Sequence, residues 1–316
     1  RPRSSMRRSK KSGRNLEFLI ITYLFLAIFI GMISYFIYFQ MVKSESVINS
    51  SYNSRLDLYA EHVIRGDITT ADGTVLAKTT VSDDGSETRE YPYGRMFAHV
   101  VGYTNNGKGG LESQYNFNLL RSHSFFLTQI INDLKNKKNI GDTLVTTLDY
   151  DVQETAYKAL GDRDGAVVVM EVKTGKILAL VSKPDFDPNT LAERWDDIVS
   201  DENSSVLLNR VTSGLYPPGS TFKIFTTLEY VHENSNYQDY SFDCEGELNV
   251  DGNEIHCYHK AVHGKETLKD SFANSCNTSF SNIGLSLDIS GFRNLCEDML
   301  FNKKLPGSLA ARAALH

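Results

Sequence analysis

From Phe18 to Phe39 the chain reads F-L-I-I-T-Y-L-F-L-A-I-F-I-G-M-I-S-Y-F-I-Y-F, twenty-two residues without a charge. Wound as a helix, this run is about 33 Å long, and the hydrocarbon core of a bilayer is about 30 Å thick. A cleaved secretory leader would have a shorter apolar run and a small-residue cleavage site; neither is seen. The run has no polar face, which argues against a helix buried in a soluble core. It is expected to be a single-pass transmembrane anchor, 18–39. Seven Lys or Arg and no acid fill the first 14 residues. That basic flank places the tail 1–17 in the cytoplasm and everything after Phe39 outside. Residues 1–17 carry +6, so a chain of net −6 leaves −12 for the remainder. So acidic an exterior argues against nucleic acid as a partner.

A length of 316 residues allows two folded domains beyond the anchor. Met41 to Glu61 is polar with scattered apolar residues and reads as a helical or extended stalk. I-R-G-D-I-T-T-A-D-G-T-V-L-A, Ile64 to Ala77, alternates around Asp72-Gly73 and predicts a β-hairpin. G-K-G-G-L-E-S-Q-Y-N-F-N-L-L, Gly107 to Leu120, opens on flexible glycines and becomes helical. A boundary near Asn139 to Asp142 closes a membrane-proximal domain, 40–140. Beyond it, Thr143 to Leu148 reads as a strand and Asp149 to Leu160 as a helix with an acidic start. G-A-V-V-V-M-E-V and K-I-L-A-L-V-S are apolar runs that fit strands covered on both faces. Helices are expected on F-K-I-F-T-T-L-E-Y-V-H and L-K-D-S-F-A-N-S-C-N. Strands flanked by helices give an α/β or α+β second domain, 141–306. The alanine-rich ending, 307–316, is expected to be an atypical tail, and Met6 the natural start.

The chemistry centres on G-L-Y-P-P-G-S-T-F-K, Gly214 to Lys223. Pro217, Pro218 and Gly219 stop any preceding element and fix the entry to a helix. Ser220 then lies at or just inside the helix start, where unpaired N–H groups favour negative charge. Lys223 follows one turn later on the same face. Phe222, Ile224 and Phe225 are expected to desolvate its amine and lower its pKa. A neutral amine beside a hydroxyl is a base beside a nucleophile; the plainer alternative is an ordinary N-cap. Ser275-Cys276-Asn277 follows near a predicted helix end. Its hydroxyl can relay a proton and its amide can hold a peptide carbonyl. The plainer alternative is a pair of polar residues satisfying backbone groups.

Ser-x-x-Lys followed by Ser-x-Asn makes two of the three motifs of the penicillin-recognising serine enzymes. Longer stretches are more specific. R-G-D-I-T-T-A-D-G-T-V-L-A, G-G-L-E, N-R-V-T-S-G-L-Y-P-P-G-S-T-F-K and H-G-K-E-T-L-K-D-S-F-A-N-S-C-N resemble a class B penicillin-binding protein. The resemblance runs from the anchor to about Pro306 and is to the smaller type without C-terminal sensor modules. It implies a mixed α+β membrane-proximal domain of pedestal or dimerisation type, then an α/β penicillin-binding domain. It implies a peptidoglycan D,D-transpeptidase working through a serine acyl-enzyme. Ser220 is then the nucleophile, Lys223 the acylation base, Ser275 the proton relay and Asn277 the group that binds substrate backbone. The implied partners are stem peptides ending in D-Ala-D-Ala, β-lactams, the membrane, and a membrane glycosyltransferase of the shape-and-division class. Neither cofactor nor metal is implied. Two other readings use the same residues: a D,D-carboxypeptidase or β-lactamase, and a non-catalytic β-lactam sensor or membrane scaffold.

The third family motif is Lys-Ser/Thr-Gly. Lys173-Thr174-Gly175 precedes Ser220, where the family places its motif after Ser-x-Asn, and lies between two apolar runs, so a hairpin turn is expected. None of the 39 residues after Asn277 supplies another. The chain as written is therefore expected to be an incomplete transpeptidase of weak or no activity, since one lost oxyanion donor costs ~10²–10³ in rate. Cys244 and Cys257 are expected to be a disulfide or free thiols. With His256, His259 and His263 they invite zinc, but the spacing fits no standard pattern. Cys276 reads as packing, and Asp185 and Asp187 as a solvated turn.

Overall fold

The computed structural model describes residues 12–43, 62–123, 131–132, 135, 137–303, 305 and 309. Residues 1–11, the stalk at 44–61 and all of the 307–316 tail except Leu309 lie outside the described residues. Helix α1, Ser12–Tyr38, takes up the apolar run and passes into a π-type turn, Phe39–Lys43. The span long and apolar enough to cross a membrane is Phe18–Met41. Its large apolar side chains are exposed along its length, so no protein core claims them. The Thr22 hydroxyl donates to the Phe18 carbonyl at 2.8 Å, an internal partner of the kind hydrocarbon demands. α1 fits a single membrane anchor.

The chain divides into two compact units. The first is drawn from Arg1–Glu154, Met170–Leu178 and Phe186–Glu202. It holds β1, Val63–Ile64, β2, Ile68–Thr69, β3, Val75–Val81, and β4, Glu87–Glu90. Short helices follow, among them α2, Gly110–Gln114, and α3, Asn116–Leu120, then β5, Asn139–Ile140, and β6, Leu144–Val145. β1 pairs with β5, and the other four form a sheet of order β4-β3-β2-β6. The predicted hairpin is β2 against β3, with Ile68 opposite Ala77. β6 is shorter than the Thr143–Leu148 strand expected. The Leu148 N–H turns to the Thr146 hydroxyl (3.2 Å), and Asp149 caps helix α4, Tyr150–Leu160, by accepting from the Val152 N–H. Local side-chain bonds end the ladder there. Ile68, Leu76, Ala77, Val101 and Leu119 are fully buried and form this unit's interior.

A buried charge cluster ties that interior together. Glu112 of α2 accepts from Arg65 Nε at 2.5 Å and from Arg89 Nε at 2.8 Å, and its side chain is wholly buried. Arg65 also donates to Asn116 Oδ1 and the Glu112 carbonyl, and Arg89 to the Gly66 carbonyl and the Thr79 hydroxyl. Gly66 also lets another stretch of backbone come close: a Cβ there would sit 2.1 Å from the Asp142 carbonyl oxygen. Arg65-Gly66 and Gly110-Leu111-Glu112, quoted above as separate stretches, thus meet in one place.

The second unit takes Thr155–Val169, Ala179–Asp185 and Asn203–His316. β7, Gly165–Met170, and β8, Ile177–Lys183, pair as a two-stranded sheet. Lys173-Thr174-Gly175, in the Met170–Leu178 stretch that belongs to the first unit, is the turn between them, with Gly175 at φ +72° donating to the Glu171 carbonyl. Coverage on both faces does not hold for β7, which alternates half-buried and exposed residues and leaves Val168 and Met170 open. An apolar run alone does not distinguish one covered face from two. Helix α5, Lys223–Glu233, packs on α7, Asn277–Ser286, and α8, Ile289–Asp298, once α6, Leu268–Ala273, has ended. β9, Ser241–Cys244, pairs antiparallel with β12, Gly264–Thr267, and β10, Glu247–Val250, with β11, Asn253–His256.

Removing Glu112 leaves two buried guanidiniums facing each other. Glu112→Ala is expected to destabilise the first unit by about 3–5 kcal/mol, seen as a lower urea midpoint. A loss below about 1 kcal/mol, the scale of a surface pair, would show that the cluster does not hold the unit together.

Candidate active site

Gly219–Phe222 forms a 3-10 turn that leads directly into α5, with Gly219 at φ +55° and Lys223 as the first α-helical residue. Ser220 is therefore exposed in the entry turn, and Lys223 follows one turn later. Phe222 and Phe225 fix that turn by packing on Phe301, at ring separations of 5.8 and 5.2 Å, while Phe222 also meets Phe292 at 5.8 Å.

The second segment lies at a break between two helices. A capping box starts α6: Thr267 accepts from the Asp270 N–H, and Asp270 accepts from the Thr267 N–H. The helix stops at Asn274, Ser275 takes φ +53°, and Cys276 caps α7 by accepting from the Ser279 N–H. A left-handed serine is strained, and it turns its hydroxyl toward Ser220. Asn277 opens α7.

The structure brings Ser220, Lys223, Ser275 and Asn277 together. Lys223 Nζ donates to the Ser275 carbonyl (2.6 Å), the Ser275 hydroxyl (3.0 Å) and Asn277 Oδ1 (2.7 Å). Ser275 Oγ donates to Ser220 Oγ at 2.9 Å. Three acceptors match the three donors of an ammonium, and the amine reaches Ser220 through Ser275. Asn277 Nδ2 donates to the His256 carbonyl at 2.9 Å, so both ends of the amide are anchored, leaving one N–H and one lone pair.

Burial holds the Lys223 pKa below its ordinary value, against the opposing charges of the Cys276 and Cys257 sulfurs. The apolar neighbours differ from those expected. Phe280 lies 5.4 Å from the amine, Ile224 is exposed, and Phe222 and Phe225 face the Phe301 cluster. Phe280 was missed, although Asn277 and Phe280 share a helix face at three-residue spacing.

Cys244, Cys257, Cys276 and Cys296 are free thiols, all buried. Cys244 and Cys257 lie 3.7 Å apart at sulfur. Of the three histidines read with them, His263 reaches Cys244 Sγ at 3.4 Å, while His256 faces Glu247 and Glu254. Burial raises the Cys276 pKa. Burial also opposes ionisation of Cys244, but hydrogen bonds from Thr278 and the backbone outweigh it and lower its pKa. The solvated turn expected at Asp185 is half-buried, and that carboxylate accepts from the Tyr157 hydroxyl at 2.6 Å.

Comparison with known proteins places this geometry in a family. Residues 165–314 match the penicillin-binding protein transpeptidase domain, and residues 65–144 match the dimerisation domain of penicillin binding protein A. The peptidoglycan D,D-transpeptidase PbpA of Mycolicibacterium smegmatis is 34% identical over 253 residues, covering 73% of this chain and 50% of that protein. Among solved structures, a D,D-transpeptidase domain of a peptidoglycan glycosyltransferase from Eggerthella lenta superposes with TM-score 0.70 at 31% identity, covering 81% of this chain and 58% of that one. Penicillin-binding protein A of M. tuberculosis, solved as an imipenem acyl-enzyme complex, gives 0.73 at 27%, covering 82% and 63%. The chain spans about half the length of the PbpA relatives it matches. With the Ser-x-x-Lys and Ser-x-Asn segments joined in one hydrogen-bonded cluster and both halves matched, the chain belongs to the class B penicillin-binding proteins.

Proposed function

We propose that the protein carrying this chain is a peptidoglycan D,D-transpeptidase that β-lactams acylate at Ser220. One observation carries the reading: the unbroken path Ser220 Oγ, Ser275 Oγ, Lys223 Nζ, with steps of 2.9 and 3.0 Å. Rotation of the two hydroxyls, with Lys223 neutral, reverses both hydrogen bonds without movement of heavy atoms. With Lys223 neutral, Ser220 attacks the carbonyl carbon of the penultimate D-alanine. Its proton passes to Ser275, and the Ser275 proton to Lys223. When the C–N bond breaks, the departing D-alanine amine takes the proton back along the same path. An amine from a neighbouring stem peptide then attacks the ester and frees Ser220. Asn277 holds the lysine and keeps one N–H for the peptide backbone. A β-lactam opens at its ring amide, so its leaving amine stays tethered. The relatives named as D,D-transpeptidases and the acyl-enzyme complex of a neighbour support this reading.

The anchor supports a single-pass topology in which the basic N-terminus is cytoplasmic and the two units are extracytoplasmic. The membrane-proximal residues and the anchor then meet a membrane glycosyltransferase that makes the strands to be cross-linked.

The test is labelling of the membrane-embedded protein by a fluorescent penicillin. Labelling is expected with the full-length protein that carries this chain and none with its Ser220→Ala variant; label retained by that variant would overturn the assignment. Lys223→Ala is expected to slow acylation about 10²–10⁴-fold, the usual worth of a general base. The amine works as a base only when deprotonated, so acylation should rise with pH through the Lys223 pKa. Because burial lowers that pKa, the rise should come below the ordinary lysine value of 10.5. A flat profile up to that value would remove Lys223 as the base.

A further inference from the structure

Cys244, Cys257, His263 and Cys276 each offer one ligand atom, and the four atoms lie within 4.8 Å of one another. The separations are selective. Cys244 Sγ is 3.7 Å from Cys257 Sγ, which is 3.7 Å from Cys276 Sγ. His263 Nδ1 is 3.4 Å from Cys244 Sγ. Zinc–sulfur bonds of about 2.3 Å at tetrahedral angles put two sulfurs about 3.8 Å apart, and sulfur and a zinc-bound nitrogen about 3.6 Å apart. A disulfide needs about 2.05 Å and would strand the third sulfur. All three cysteines are at most 3% exposed.

Hydrogen-bond donors also face two of the sulfurs. The Thr278 hydroxyl, itself fully buried, donates to Cys244 Sγ at 3.2 Å, and the Ser279 N–H donates to Cys276 Sγ at 3.5 Å. Such donors stabilise sulfur anions and orient metal ligands. We propose that Cys244, Cys257, His263 and Cys276 bind one structural zinc ion. On binding, each of the three thiols gives its proton to solvent and His263 offers a neutral ring nitrogen. Four protein ligands close the tetrahedron, leaving no position for substrate.

Cys244 ends β9, Cys257 follows β11, His263 precedes β12, and Cys276 sits in the break between α6 and α7. The metal therefore staples two strand pairs to the residue between Ser275 and Asn277. The ligand order, C-x12-C-x5-H-x12-C, matches no short-knuckle pattern because the two strand pairs, not a local loop, bring the ligands together.

The experiment is metal analysis of the detergent-purified protein, prepared without chelator, followed by cobalt(II) exchange. Expected are one zinc per chain and, with cobalt, a thiolate-to-metal charge-transfer band with strong tetrahedral d–d absorption. His263→Ala and Cys276→Ser should weaken zinc retention against a chromophoric chelator at least about 10-fold, since even outer-shell partners are worth ~10–100-fold. Should either variant fold poorly, the cobalt spectrum of the unaltered protein decides alone. A protein that takes up no metal, zinc held without the cobalt–thiolate band, or a mass lower by one pair of hydrogens, as in a disulfide, would each overturn the proposal. None of these readouts depends on acylation, so the site and the transpeptidase reading fail independently.

Discussion

A single lysine amine holds the second unit's two chemical segments together. Lys223 begins α5, and its three acceptors all lie on the break between α6 and α7. A charged group with three short hydrogen bonds in a partly dry setting fixes geometry more tightly than neutral pairs do. Ser220 lies in the preceding turn, so its place follows from the same contact. Burial favours the neutral amine and outweighs the nearby Cys276 and Cys257 sulfurs, which favour the charged one.

The first unit uses charge differently. Glu112 is sealed between two guanidiniums, with every described partner from the protein itself. That arrangement ties β3, β4 and α2 to the residue that follows β1.

What the sequence disclosed follows from the range of each cause. The anchor was legible because its length and lack of charge are summed over one continuous segment. Pro217-Pro218-Gly219 and Thr174-Gly175 were legible because backbone constraints act within a few residues. The helical spacing of Ser220 and Lys223 is local too. Interposition of Ser275 between them is not, since it depends on a helix break 52 residues beyond Lys223. Ile224 was read as lining the amine, but one step along a helix is a rotation of about 100°, and it faces outward. Phe280 takes that place from another helix. His263 was one of three histidines until the antiparallel register, with Gly264 opposite Cys244, brought it beside the thiol.

The left-handed backbone at Ser275 limits what this position accepts. Threonine also carries a hydroxyl, yet its branched Cβ disfavours φ near +53°. Asparagine and glycine tolerate that conformation but bring no hydroxyl. Serine alone satisfies both the torsion and the alcohol, so drift at this codon faces a narrow gate set by stereochemistry as much as by proton transfer.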